Sequence, residues 1–276
     1  MNRPDPVSTA TDPLIAAAQG ASVFDLSRPY STGMPQSPNH PAFRHGLDRR
    51  HGDRVRSDGG SAAADIITTG CHVGTHVDAL SHVSHDGCLH GGIDAAEAQT
   101  GGRFDQLGID AMDPYVGRGV LLDIPAAVGV ERFDGGVEIT TDQLDQAKGD
   151  IEIRPGDVVL IRSGWGQLWE QGDPYLGGET GVPGVAEAGA HWLAAHRPAA
   201  VGADTIAFER IAPGKGHATL PAHRVLLVEE GINIIETLDL EALAAARARE
   251  FLLVVAPRKI GGATGAPVRP LAVVSS

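Results

Sequence analysis

The sequence predicts a single-domain protein of the α/β class. Over most of its length, short apolar stretches of strand length alternate with helical patterns, which is typical of mixed α/β domains. At 276 residues with 42% hydrophobic content, the chain can bury one sizeable core, and no linker divides it. We therefore expect one domain over residues 23–276, preceded by an N-terminal arm over residues 1–22 that is rich in Pro, Ser, Thr and Asp.

The individual elements follow from local composition, in chain order. Residues 30–60 are dense in Pro, Gly, Arg and His, so we expect a long loop that covers an active site. Residues 63–69 are small and β-branched, which predicts a strand. Ile139, Thr140 and Gln143 resemble a hydrophobic staple and capping box, which open a helix that ends near Lys148. Further strands are expected at residues 120–124, 158–162, 199–203, 232–235, 251–256 and 268–274, and further helices at residues 186–196, 221–230 and 240–247.

A histidine-rich run is the strongest functional signal in the sequence. Three of the twelve histidines lie between His72 and His82, together with Asp78. Imidazole and carboxylate are nitrogen and oxygen ligands that Zn²⁺ and Mn²⁺ bind, and three such ligands leave a coordination position free for catalysis. We therefore interpret His72, His76 and Asp78 as a metal-binding set.

The spacing of this set requires a bend in the backbone. A fully extended chain advances about 3.3 Å per residue, so a straight strand would hold His72 and His76 roughly 13 Å apart, too far to share one ion. A regular helix would turn Asp78 away from the face that those two histidines share. We expect the chain to bend at Gly74, because glycine tolerates backbone conformations that other residues avoid.

His82 is the expected proton-transfer residue. Imidazole titrates near neutral pH, and a histidine four residues beyond Asp78 can accept a proton from a metal-activated water. Two other roles stay open for His82, a fourth ligand or a residue that orients a ligand. His85 and His90 are interpreted as loop or rim residues.

The histidine-rich run resembles the signature of the cyclase family of metal-dependent hydrolases, which includes kynurenine formamidases and isatin hydrolases. The family pattern is His-x-Gly-Thr-His-x-Asp-x-Pro-x-His, and this sequence differs from it once, with Leu80 in place of Pro. Further blocks match in the same order along the chain. They cover residues 25–27 and 33–35, 156–165, 220–224 with 231–236, and 259–269.

The resemblance implies a swivelling β/β/α fold, in which helices flank a barrel-like β core. It also implies that the metal-binding set holds Mn²⁺ or Zn²⁺ and that His82 is the catalytic residue. In two-metal members a further His and Glu are ligands, and His223 and Glu236 occupy the matching positions, with Asp78 as the bridge. One or two ions per chain and a homodimer or homotetramer are therefore expected.

The expected reaction is hydrolysis of a C–N amide bond, in a cyclic amide or an aryl formamide, by a metal-activated water. The first alternative is a lactone or other ester-type ring, handled by a hydrolase or cyclase with the same site. An Fe²⁺-dependent oxygenase is a second, because His76 and Asp78 with His217 or His223 imitate a two-His, one-carboxylate triad. A non-catalytic metal-binding protein is a third, and it would need a closed site of four ligands.

Two pairs of residues are weaker predictions for substrate contact. Trp165 and Trp169 follow the strand expected at residues 158–162 and form either an aromatic wall for a planar substrate or part of the core. His51 and Arg56 belong to the loop at residues 30–60 and either contact substrate or lie in solvent.

Composition limits the partners and the compartment. Lys and Arg total 22 against 35 Asp and Glu, a formal charge of −13, which argues against nucleic acid and against anionic membranes as partners, so a small-molecule substrate is expected. The first residues lack an apolar signal-peptide stretch, and no window is apolar enough to span a membrane. Cys71 and Cys88 form no disulfide framework. We therefore expect a cytoplasmic protein.

Overall fold

β-Strands form the core of the protein in the computed structural model, which describes residues 13–275. In chain order these described strands are β1 (Ser22–Asp25), β2 (Arg44–Arg49), β3 (Ala64–Thr68), β4 (His76–Asp78), β5 (Cys88–Leu89), β6 (Ile93–Asp94), β7 (Gln99–Thr100), β8 (Arg103–Phe104), β9 (Tyr115–Asp123), β10 (Glu138–Ile139), β11 (Val158–Arg162), β12 (Gly184–Val185), β13 (Ala200–Ala203), β14 (Asn233–Glu236), β15 (Glu250–Val255), β16 (Gly265–Pro267) and β17 (Leu271–Val274). Nine of them join in one sheet with the order β1-β17-β15-β9-β11-β13-β14-β4-β16. The other strands pair as two-stranded ribbons.

Short helices connect these strands. In the described part of the chain they are α1 (Pro13–Ala18), α2 (Ile124–Val128), α3 (Thr141–Lys148), α4 (Asp173–Leu176), α5 (Glu187–Ala195), α6 (Pro221–His223) and α7 (Glu241–Ala245). Turns of 3-10 helix cover His90–Gly92, Ile109–Ala111 and Trp165–Gln171, and a π-helical turn covers Arg224–Glu229. Between residues 13 and 275, no helix is long and apolar enough to cross a membrane.

The centre of the nine-stranded sheet is parallel and its margins are antiparallel. Strands β9, β11, β13 and β14 are neighbours that run in the same direction. All five residues of Val158–Arg162 are buried, as expected for a parallel strand that is covered on both faces. The sheet curls into a half-barrel flanked by helices. The predicted α/β single domain with a barrel-like β core is confirmed.

Each face of the sheet has its own apolar core. Ile161 and Ile234 belong to a cluster that includes side chains of α3 and α5, and we call this side the α3/α5 face. Leu160 and Ile235 point to the other side and join a cluster with residues of β15 and β17. Because successive side chains of a strand alternate between faces, these apolar runs fill both layers at once.

Local sequence signals were sufficient to predict where some helices begin and end. Thr140 caps α3 as predicted, because its Oγ1 accepts from the backbone N–H of Gln143 at 3.3 Å and its own backbone N–H donates to Gln143 Oε1 at 3.0 Å. The strand expected at residues 120–124 begins earlier, at Tyr115, and ends before Ile124, where the Asp123 side chain caps α2. The helix expected at residues 221–230 is present as α6 followed by the π-helical turn.

The segment at residues 30–60 is more ordered than the sequence predicted. It contains β2, which pairs antiparallel with β3 to form a two-stranded ribbon outside the main sheet. Leu47, Ile66 and Ile67 on this ribbon are each between 55% and 60% exposed. The prediction of an unstructured loop is therefore wrong for Arg44–Arg49, since cross-strand pairing organises residues that lack an obvious pattern.

The predicted N-terminal arm lies only partly within the described chain. Helix α1 falls inside it, and residues 1–12 lie outside the described residues. The nine-stranded sheet begins at Ser22, which pairs with Val274 near the other end of the chain. The boundary between an arm at residues 1–22 and a domain at residues 23–276 stays a prediction.

Candidate metal centre

Strand β4 presents two of the predicted ligands on one face of the sheet. His76 and Asp78 are two residues apart, so their side chains point to the same side. Strand β14 pairs antiparallel with β4 and places Glu236 opposite His76 and Ile234 opposite Asp78. Since Ile234 lies on the α3/α5 face, the three polar side chains lie there too. One ligand atom from each of His76, Asp78 and Glu236 lies within 4.8 Å of the other two.

His72 reaches the same carboxylate from the other side of a bend. Gly74 has a φ of +63°, which turns the chain between His72 and β4 as predicted. The Nδ1 atom of His72 lies 2.6 Å from Asp78 Oδ1, and its Nε2 atom lies 2.8 Å from Thr264 Oγ1. The bend therefore brings together side chains that a straight strand would separate.

Gly74→Ala is expected to destabilise the fold, because the position combines a left-handed backbone with a crowded side. A Cβ atom at residue 74 would lie 2.7 Å from Cζ of Tyr30, whose hydroxyl donates to the Thr75 carbonyl at 2.9 Å. We expect a loss of about 1–3 kcal/mol in the free energy of unfolding, measured in denaturant on the metal-free protein. Gly46→Ala is the matched control, because a Cβ atom there meets nothing within 4 Å. Equal losses for both variants would contradict the prediction.

His82 lies against His72 at the edge of the group. The two rings stack with centroids 3.7 Å apart and an interplanar angle of 22°. His82 is half-buried, and its backbone N–H donates to the Ala79 carbonyl at 2.9 Å in the turn after β4. One atom each of His72, Asp78 and His82 again lie within 4.8 Å of one another. Asp78 is thus shared by two groups, whereas the sequence placed His72, His76 and Asp78 in one set.

His223 completes the centre from the helical side. It is the last residue of α6 and is 3% exposed. Its Nε2 atom lies 3.2 Å from Glu236 Oε1 and 3.6 Å from Asp78 Oδ2. Its Nδ1 atom lies 2.7 Å from Oε1 of Glu209, a fully buried carboxylate. The structure therefore brings the side chains of His223 and Glu236, the two positions that the family resemblance singled out, to the residues of the histidine-rich run.

Among residues 13–275, three buried polar atoms at this centre make no hydrogen bond, although each has a side-chain nitrogen or oxygen of the centre within 3.6 Å. They are Nε2 of His76, Oδ2 of Asp78 and Oε1 of Glu236. An unpaired buried polar group costs about 1–3 kcal/mol, so three on neighbouring side chains are costly unless a ligand satisfies them. Nitrogen and carboxylate oxygen atoms are the donor set of Zn²⁺ and Mn²⁺. The residues present therefore fit a divalent cation.

The charges of the centre favour a cation as well. Burial alone would lower the pKa of His76, but the carboxylates of Asp78 and Glu236 outweigh it and raise that pKa to about 9. Burial also opposes protonation of His223, yet Asp78, Glu209 and Glu236 raise its pKa well above the usual value. The carboxylates thus attract positive charge, which a bound ion supplies in place of protons.

The pKa of His82 is shifted in the opposite direction. Burial lowers its pKa to about 3, and although Asp78 opposes the shift, the imidazoles of His72, His76 and His223 add to it. Its ring is therefore neutral near pH 7 and has a free lone pair.

Comparison with known proteins identifies the family of the chain. The Cyclase family model matches residues 24–210 of the chain. This chain belongs to the Cyclase family. It is 25% identical over 252 residues to a kynurenine formamidase of Sphingopyxis alaskensis, a match that covers 90% of this chain and 96% of that protein.

Solved structures share the cyclase fold. A crystal structure described as a novel cyclase superposes with a TM-score of 0.82 at 30% identity, over 95% of this chain and 93% of that chain. Isatin hydrolase A from Ralstonia solanacearum superposes with a TM-score of 0.73 at 23% identity, over 98% of this chain and all of that chain. The nine-stranded sheet with its flanking helices is not an all-β jelly roll. The fold therefore gives no support to the alternative of an Fe²⁺-dependent oxygenase built on a jelly roll.

The metal-free cyclase-family chain is expected to lose stability between pH 6.5 and pH 9. The folded protein raises the pKa of His76 from its usual 6.5 to about 9. Folding therefore favours the protonated ring, and this contribution is complete below pH 6.5 and is lost as the pH rises through 9. Thermal unfolding of chelator-treated protein should show a midpoint that falls by several degrees over this interval. A constant or rising midpoint would contradict the prediction.

A small cavity opens beside the candidate metal centre of this Cyclase-family chain. It is lined by His72, His76, His82, His223 and Glu236, and by Ser37, His40, Ile206, Ala207, His217 and Leu220. Its free volume is about 30 Å³, room for only two or three water molecules. A ligand as large as an aromatic ring would have to displace part of the lining, in which His40 and His217 are half-buried.

His40 is a site residue that sequence reasoning missed. Its ring centroid lies 5.1 Å from that of His72 and 6.3 Å from that of His82. Burial, together with the neighbouring His72 and His76, lowers the pKa of His40 to about 4. The only signal was its place in the segment at residues 30–60, where His51 was chosen instead.

Trp165, Trp169 and His51, the predicted substrate contacts, are not among the residues that line this cavity. Trp165 and Trp169 are each 4% exposed and belong to an apolar cluster, and Trp165 Nε1 donates to the Tyr175 carbonyl at 2.8 Å. Of the two roles that the sequence left open for these rings, their burial in this cluster favours the role in the core. His51 is exposed on the ribbon and pairs with Ser61 Oγ at 3.1 Å, so it is a surface residue.

Proposed function

We propose that this chain is a metal-dependent amidohydrolase that cleaves a C–N bond in an aryl formamide or a cyclic amide. The observation that carries the proposal is the set of unpartnered ligand atoms on His76, Asp78 and Glu236, next to the neutral ring of His82. The name of the kynurenine formamidase relative supports formamide hydrolysis, and the family supports this class of enzyme.

The residues that would hold the metal fall into two overlapping groups. His76, Asp78 and Glu236 form one group with His223, and His72 and Asp78 form the other, which His82 adjoins. When bound, Zn²⁺ or Mn²⁺ polarises a substrate carbonyl and acidifies water. Because Asp78 belongs to both groups, the arrangement supports two ions per chain as well as one.

The proton transfer is assigned to His82. Its neutral ring can accept a proton from the attacking water and return it to the leaving nitrogen, so that the amine leaves uncharged. Asp78 stabilises the imidazolium that forms in between, because its carboxylate is the neighbour that favours the charged ring. A side-chain nucleophile is not needed in this scheme.

The test is a substrate panel on the metal-free protein reloaded with Mn²⁺ or with Zn²⁺. N-formylkynurenine, isatin, cyclic imides and lactones separate the amide classes from the ester alternative. Metal-dependent turnover of a formamide or cyclic amide, lost on chelation, is the expected result. Turnover of lactones alone, or metal binding without any turnover, would overturn the proposal.

The assembly and the compartment are also proposals. A homodimer or homotetramer is supported by the exposed apolar residues Leu47, Ile66 and Ile67 on the ribbon of β2 and β3, since a second copy would cover them. Light scattering coupled to gel filtration tests the assembly. A cytoplasmic location is supported by the free thiols of Cys71 and Cys88.

A further inference from the structure

A buried carboxylate lies behind His223, on the side away from the other ligands. Glu209 Oε1 is 2.7 Å from His223 Nδ1 and accepts from the backbone N–H of the same residue at 2.9 Å. Glu209 Oε2 accepts from the backbone N–H of Ala222 at 3.1 Å. Both oxygens are therefore engaged with two successive residues of α6, and the side chain is 0% exposed.

The backbone around Glu209 is fixed in an unusual conformation. Phe208, the residue before it, is 1% exposed and has a φ of +55°, a left-handed value that a bulky residue adopts only where its surroundings impose it. On the other side, Arg210 donates from its backbone N–H to the Val185 carbonyl at 2.8 Å and from Nε to the Gly136 carbonyl at 2.6 Å. Glu209 is thus held in place independently of its contacts with α6.

We infer that Glu209 is a positioning residue of the metal centre, which holds His223 with Nδ1 protonated and with the Nε2 lone pair directed at the ligand group. The inference rests on the proposed function. Both oxygens of Glu209 already accept from backbone N–H groups, so the ring nitrogen beside Oε1 is placed as a further donor and carries the hydrogen. The Nε2 atom then faces Asp78 and Glu236, where a bound cation would take the place of its proton. Such carboxylates also increase the basicity of the ligand.

A purely structural role is the competing explanation, because Glu209 also accepts from two backbone N–H groups at the start of α6. Glu209→Gln separates the two roles. A glutamine has one acceptor and one donor end, so it cannot satisfy both Ala222 and His223 as the carboxylate does. If its amide NH₂ faces the ring, the hydrogen of His223 moves to Nε2 and blocks the ligand position.

The experiment is a calorimetric titration of the metal-free full chain with Mn²⁺ and, separately, with Zn²⁺. We expect Glu209→Gln to weaken the affinity for the ion that His223 binds by about 10- to 100-fold. Glu187→Gln is the matched control, because Glu187 is exposed and forms an ion pair with Arg224, the residue next to His223. This control should bind as the wild type does. Glu209→Asp keeps a carboxylate and should recover part of the affinity.

The same titration in a His223→Ala background identifies the route of the effect. If Glu209 acts through His223, adding Glu209→Gln to His223→Ala should cause no further loss of metal affinity. Thermal unfolding of the metal-free variants measures separately how much Glu209 stabilises the start of α6. Wild-type affinity in Glu209→Gln, or an equal loss in both backgrounds, would overturn the inference. Unchanged binding in His223→Ala would overturn it too, while leaving the proposed function intact. Absence of metal binding by the wild type would instead overturn the proposed function.

Discussion

Asp78→Asn is expected to abolish high-affinity metal binding and, with it, turnover. Asp78 is the one residue shared by both groups of ligands, and it is 1% exposed. The substitution keeps the shape of the side chain but removes the negative charge and replaces one ligand oxygen by an NH₂ group, which cannot bind a cation. Metal content by mass spectrometry and activity on the substrate panel measure the result.

The control for this substitution is Asp65→Asn on the exposed ribbon. Asp65 forms a surface pair with His45, at 2.8 Å from His45 Nε2 to Asp65 Oδ2, so loss of its charge should leave metal content and turnover unchanged. A full complement of metal in Asp78→Asn would show that the two groups do not share this carboxylate. It would remove Asp78 from the ligand set.

His82→Ala is expected to lower turnover by about 10²- to 10⁴-fold while the metal content stays at the wild-type level. The physical reason is that the substitution removes the neutral ring that accepts the proton, whereas His72, His76, Asp78, His223 and Glu236 remain. Activity and metal content are measured on the same preparation. His85→Ala provides the control, because His85 is an exposed histidine three residues away in the same segment.

Loss of metal from His82→Ala would give a different assignment. One nitrogen of His82 lies close enough to His72 and Asp78 to serve as a ligand. Reduced metal content together with reduced turnover would therefore place His82 in the coordination shell and leave the proton transfer to another group.

The histidine-rich run shows how much of the site could be predicted from sequence. Its ligand atoms are close in the chain, so spacing and the need for a bend at Gly74 were sufficient to bring His72 to Asp78. His223 and Glu236 were reached only through the resemblance to the family, because their proximity to β4 is created by strand pairing. The run alone gives no information on which distant strand will pair with it.

Glu209 and His40 could not be predicted, for two different reasons. Glu209 lies in a segment without regular structure, and its contact with His223 depends on a left-handed residue that the sequence does not signal. His40 was hidden among other polar residues in the segment at residues 30–60, where His51 and Arg56 were chosen as the substrate contacts. Local patterns located the strands well, because a strand buried on both faces, such as Val158–Arg162, is visible in the sequence as a run of apolar residues.

The position of β4 between β14 and β16 has a consequence for how the chain is made. Both partners of β4 are synthesised long after it, since Asn233 is 155 residues beyond Asp78 and Thr264 is 192 residues beyond His72. At about 5–20 residues per second, the nascent strand waits on the order of ten seconds or more for its neighbours. Throughout that time His76 and Asp78 lack Glu236, the third member of their ligand group. A ribosome-bound chain that stops before β14 should therefore bind no ion through this group, whereas His72, Asp78 and His82 are already close in the chain.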